Sequence, residues 1–160
     1  MTHDATPPPP PPPAVAERPT TVTAAGITLI VLGSLTLLLS LLLLIGVGLF
    51  AGAAGTIPES EVPAGFGGLF GAFAGAIFII MLIVAGFGVL QLVSGIQVLG
   101  GRSWARVTGI VVAAIAGLLA LTGMGEPEGM IFSLILLIAN GFVIWALATS
   151  GPWFAARAAR

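Results

Sequence analysis

The sequence predicts an all-α membrane protein, an antiparallel bundle of four transmembrane helices. Hydrophobic residues fill 58% of the 160 positions and charged residues only 7%, against about 25% charged in an ordinary soluble domain. A chain so poor in charge cannot cover a water-facing surface. The apolar residues gather in four blocks, each close to or above the roughly 20 residues that cross a bilayer core as helix. Apart from Arg106, in the first turn of the third block, no Asp, Glu, Lys, Arg or His falls within a block.

Residues 1–21 form a polar tail centred on the run Pro7 to Pro13. Such a run adopts polyproline II and builds no core. It reads as a stiff disordered tail, with a ligand for a proline-reading domain as the rival. The first span covers about 24–51. It is too long for a secretory h-region, so it reads as a retained anchor despite the cleavage-like Ala51-Gly52-Ala53. The loop "TIPESEVP" follows. Residues 65–100 are one uncharged stretch, longer than a membrane needs, with the spanning part placed at 69–99. The excess is taken up by tilt, or by the glycine-rich start lying at the outer interface. After "GGRSWAR" come the third span, 104–122, the loop "GMGEPEG", the fourth span, 130–149, and a tail, 151–160. Short connections make sequential helices antiparallel neighbours.

Four spans place Arg18, Arg102, Arg106, Arg157 and Arg160 on one face, and Glu59, Glu61, Glu126 and Glu128 on the other. Arginine in short loops stays on the cytoplasmic side. The expectation is a plasma-membrane protein with both termini cytoplasmic and two acidic loops outside. Arg102, Trp104, Arg106, Trp153, Arg157 and Arg160 are read as topology and anchoring residues, the tryptophans lying at headgroup level. Ser103 is read as the N-cap of the third helix. Arginine in a first helical turn opposes the helix dipole, and contact with lipid phosphates is expected to offset this. The paired glutamates make a negative outer face. They read as solvated loops, because a hard cation needs more ligands than two unanchored pairs supply.

Between lipid-exposed helices, close backbone approach must hold the bundle together. Gly67, Gly71 and Gly75 form a double GxxxG, and Gly109, Ala113 and Gly117 repeat the spacing on the third helix. Gly48 and Gly52 do so once on the first, and Gly33, Thr36 and Ser40 share one of its faces. These stripes read as packing within the chain first and homodimer contacts second. The polar residues inside the spans are few. Gln91 and Asn140 lie about 12 and about 13 Å from the cytoplasmic ends of their helices at 1.5 Å per residue, and Ser34 reaches similar depth. These three are expected to form a polar layer in the inner half of the bundle. It acts either as interhelical hydrogen bonds or as part of a permeation or ligand site. Ser133 shares a face with Asn140, and Ser94 with Gln91.

The chemistry is limited by missing groups. The chain has no cysteine and one histidine, His3, in the tail. Proton relays and ion-coupled transport usually need ionisable groups inside the spans, and intramembrane proteolysis needs a Ser/His pair, paired aspartates or a metal. The glycines after Gly65 lack the strand and acid that would make them a phosphate site. No enzyme activity, cofactor, metal or nucleic-acid partner is expected. The partners are the lipid bilayer and another membrane protein or a second copy of the chain. The leading function is structural or accessory, through helix contacts in the bilayer; the alternative is a small transporter or channel subunit acting as an oligomer.

With its Pro-rich start, four spans and "GRSWAR" at the second turn (Gly101, Arg102, Trp104, Ala105, Arg106), the chain resembles the small four-helix integral membrane proteins of high-GC Gram-positive bacteria. The ending "PWFAARAAR" is similar to theirs. The resemblance covers the whole chain in architecture and those five residues in motif. It implies a four-helix fold in the plasma membrane, and no activity or catalytic residue.

Overall fold

The computed structural model describes residues 17–125 and 127–159. Four long helices run α1 (Thr20–Ala54), α2 (Phe66–Leu99), α3 (Ser103–Thr122) and α4 (Pro127–Thr149), followed by a short α5 (Gly151–Ala158). Single 3-10 turns occupy Glu59–Glu61 and Gly123–Gly125. There is no strand among the described residues. Each expected span lies inside a helix, and all four helices are long and apolar enough to cross a membrane. Residues 1–16, Glu126 and Arg160, all subjects of sequence expectations, lie outside the described residues.

The breaks follow from local chemistry. Pro19 precedes α1, where its fixed φ and missing N–H cost nothing. Pro58 and Pro63 flank the first connection, and Gly65 enters α2 with φ 81°. The α2–α3 turn is a Schellman motif. Gly101, φ 76°, donates its N–H to the Val98 carbonyl at 3.0 Å, and the Arg102 N–H reaches the Gln97 carbonyl at 3.2 Å. Ser103 is the first helical residue of α3 and no side-chain hydrogen bond caps it; the expected serine cap does not form.

Helices α1 and α2 pair backbone to backbone. A methyl group added at Gly33 would lie 2.6 Å from the Leu92 nitrogen and 2.9 Å from the Gly88 carbonyl oxygen. One at Gly95 would lie 2.8 Å from the Gly26 carbonyl oxygen. So Gly26 faces Gly95 and Gly33 faces Gly88, seven residues apart on each helix, which is the repeat of a helix pair winding left-handed. On α3, Gly109 admits the Leu147 side chain, Ala113 is fully buried, and Gly117 touches Asn140 and Leu137.

The expected stripe Gly67, Gly71 and Gly75 makes no such contact. A methyl group at any of the three would meet nothing within 4 Å, and the same holds at Gly48 and Gly52. The reason is length. Gly109 of α3 lies against Leu29 of α1. From that level α3 runs 13 residues to Thr122, while α1 runs 25 to Ala54. The α1–α2 hairpin therefore overshoots α3 by about 18 Å at 1.5 Å per residue, and these glycines lie in the overshoot.

The tightest core lies at the opposite end. Val22, Ala25, Leu29, Val98, Ala105, Ala113, Val143, Ala146 and Leu147 have no exposed surface, and Trp153 and Phe154 of α5 pack into them. Residues 151–158, expected as tail, are thus a docked helix. Trp153, expected as an interfacial anchor, is 8% exposed, because its ring and Phe154 stack edge to face at 4.8 Å beneath the bundle.

Candidate functional site

A cavity of about 560 Å³ lies among the four long helices. It is walled by Leu32 to Leu43 faces of α1, Met81 to Gln91 of α2, Ile115 to Thr122 of α3 and Phe132 to Asn140 of α4. Most of the wall is apolar. Its polar members are Thr36, Ser40, Gln91, Thr122, Ser133 and Asn140, and no charged residue lines it.

Gln91 and Asn140 both line the cavity, and each is 2% exposed. Ser34 does not join them. It is exposed on α1, because it follows Gly33 by one residue and so lies 100° around the helix from the face turned to α2. Ser40, seven residues after Gly33, returns to that face and is 1% exposed. The buried polar set of the cavity is therefore Ser40, Gln91, Ser133 and Asn140. The shared faces of Ser133 with Asn140 and of Gly33 with Ser40 were the available sequence signals.

The hydrogen bonding is incomplete. Ser40 Oγ donates to the Leu37 carbonyl at 2.9 Å, and Asn140 Nδ2 donates to the Leu136 carbonyl at 2.8 Å. Asn140 Oδ1 is buried and has no partner, as does Ser94 Oγ, three residues from Gln91. A buried acceptor left alone costs about 1–3 kcal/mol, so something is expected to compensate it.

The cavity is closed on the arginine side. Within two turns beyond Leu32, Ile115 and Asn140, the side chains of Leu29, Ala113, Val143 and Leu147 are fully buried. That end is also locked chemically. Arg106 Nε donates to the Leu147 carbonyl at 2.8 Å and Nη2 to the Ala148 carbonyl at 3.1 Å. Ser150 Oγ donates to the Ala146 carbonyl at 2.6 Å, and Thr149 Oγ1 to the Trp145 carbonyl at 2.9 Å. Arg106 was expected on lipid phosphate against an adverse dipole. It caps α4 instead, where its charge meets the negative end of that helix. Arg157 lies over the Trp153 ring, 5.2 Å from its centroid. Arg102 is exposed and Trp104 is 47% exposed on the bundle exterior, which suits a headgroup-level position. At the other end Glu61 and Glu128 are exposed.

Fold and site together define a multi-pass α-helical membrane protein with an uncharged cavity within the bundle. No protein-family profile, no curated protein and no solved structure matches the chain.

Proposed function

We propose that this is a structural or accessory protein of the plasma membrane, without enzymatic activity, that works by lateral helix contacts through the open end of its α1–α2 hairpin. One observation carries the reading: the hairpin continues about 18 Å past α3 as bare apolar helix. Leu49, Phe50, Leu69 and Phe73 there are 66–75% exposed. Phe50 and Phe70 lock its two strands of helix together at 5.4 Å. Beside them Gly67, Gly71 and Gly75 present a flat strip on which a neighbouring helix approaches closely. The resemblance to four-helix proteins of high-GC Gram-positive bacteria supports the plasma-membrane location, and the arginine distribution supports cytoplasmic termini. The rival, a small transporter or channel subunit acting as an oligomer, draws no support from the cavity, which is closed at its arginine end.

The test is tagged purification from native membranes in a gentle detergent, with quantitative mass spectrometry, for the wild type and Gly71→Leu. A Cβ added at position 71 would meet no other atom of the chain within 4 Å. A stoichiometric membrane partner that is lost from Gly71→Leu is the expected result. A wild-type protein that emerges alone and monomeric, or a partner retained by the variant, overturns the proposal.

A further inference from the structure

We propose that the central cavity binds a neutral amphiphile taken from the bilayer: an apolar body carrying one hydrogen-bond-donating hydroxyl, a lipid alcohol being the simplest case. The inference does not rest on the lateral-contact reading; it stands on the cavity alone.

Three features select this ligand. The first is charge. No ionisable group lines the cavity, so a charged head would enter a low-dielectric space with no counter-ion. The ligand is therefore neutral. The second is the orphan acceptor. Asn140 lines the cavity, is 2% exposed, and its Oδ1 has no partner while its Nδ2 is already engaged with the Leu136 carbonyl. An acceptor without a donor calls for a ligand O–H or N–H, which it meets once the Asn140 amide turns toward the cavity it lines, and Gln91, which lines the same cavity, supplies a second carboxamide to hold that head. The third is the direction of polarity. The floor holds Gln91 and Asn140 and is sealed by the fully buried core beyond them. The rim is apolar and open: Leu43, Leu119 and Phe132 line the cavity and are 54–60% exposed. A water-borne polar solute finds no polar entrance there. A molecule dissolved in lipid enters head first and leaves its apolar body among Leu39, Phe87 and Leu136. The volume, about 560 Å³, lies within the ~300–1,000 Å³ of small-molecule sites.

The full-length protein, reconstituted in phosphatidylcholine vesicles, tests this with two probes: hexadecan-1-ol carrying a mid-chain diazirine, and hexadecane carrying the same group. Photolabelling is mapped by peptide mass spectrometry. The alcohol is expected to label the cavity wall about tenfold more than the hydrocarbon, the worth of one hydrogen bond. Asn140→Leu is expected to bring the alcohol down to the hydrocarbon level. Equal labelling by the two probes, or unchanged labelling in the variant, overturns the proposal and leaves a cavity whose acceptor is met by water. The wild type alone gives a second reading that needs no variant. Excess unlabelled hexadecan-1-ol must displace the probe from these sites and excess hexadecane must not; the failure of that difference also overturns it.

Discussion

Gly101 shows how much one residue carries at the arginine end. Its φ of 76° completes the Schellman turn, a conformation that costs other L residues about 1–2 kcal/mol. Its missing side chain also makes room for α5, since a methyl group there would lie 2.7 Å from Arg157 Cδ and 3.1 Å from the Trp153 ring. Gly101→Ala is therefore expected to lower unfolding stability in detergent by about 1–2 kcal/mol from the backbone alone and to loosen α5. Thermal unfolding followed by circular dichroism measures the first, and Trp153 fluorescence the second, through a red shift as the ring becomes wet. An unchanged midpoint and emission maximum would show that the turn does not depend on glycine. Arg106 is a second case. Its guanidinium joins the start of α3 to the end of α4 through two carbonyls, so it holds tertiary structure.

At the scale of the helix, glycines of identical composition do opposite things. Gly33 and Gly88 sit where two backbones touch, so any side chain must push the helices apart. Overpacking of this kind costs about 1–3 kcal/mol, and here the atoms met are backbone, which cannot rotate away. Gly33→Val is expected to lower the unfolding midpoint sharply. Gly75→Ala, on the same hairpin but in open space, is expected to hold or raise it, because alanine is favoured over glycine in a helix by about 0.5–1 kcal/mol. A side-by-side melt of the two variants in one detergent decides. Equal effects would mean that α1 and α2 are not in backbone contact.

For the whole molecule, the described arginines gather at one end: Arg18 ahead of α1, Arg102 and Arg106 at the α2–α3 turn, and Arg157 on α5. The chain contains no cysteine, so single cysteines report sidedness without background. In intact cells, Ser60→Cys is expected to react with a membrane-impermeant maleimide. Ala159→Cys is expected to react only after permeabilisation; both positions are exposed. The reverse pattern would invert the proposed orientation. Helix length accounts for both the cavity and the bare end of the hairpin. Helices α3 and α4 hold 20 and 23 residues and α1 and α2 hold 35 and 34, so four helices enclose a cavity at one level and only two continue above it.

Composition and the spacing of apolar blocks were enough to determine the four helices, their order and their antiparallel neighbours, because burial of backbone in lipid leaves helix as the only open-chain solution. Gln91 and Asn140 were legible as interior polar residues for the same reason: in an apolar span a carboxamide must find a partner. Which glycines pack, and which serine joins them, was decided only by tertiary structure. A GxxxG at positions 67, 71 and 75 has the right local spacing but no helix opposite it, while the seven-residue repeat at 26 and 33 meets its counterpart at 88 and 95. Ser34 and Ser40 have the same chemistry, and the rotation of α1 against α2 puts one outside and the other in the cavity. The folding of residues 151–158 under the bundle was equally non-local. Trp153 and Phe154 have the composition of an interfacial anchor, and they are buried because α3, α4 and the Gly101 turn leave a site that their rings fill.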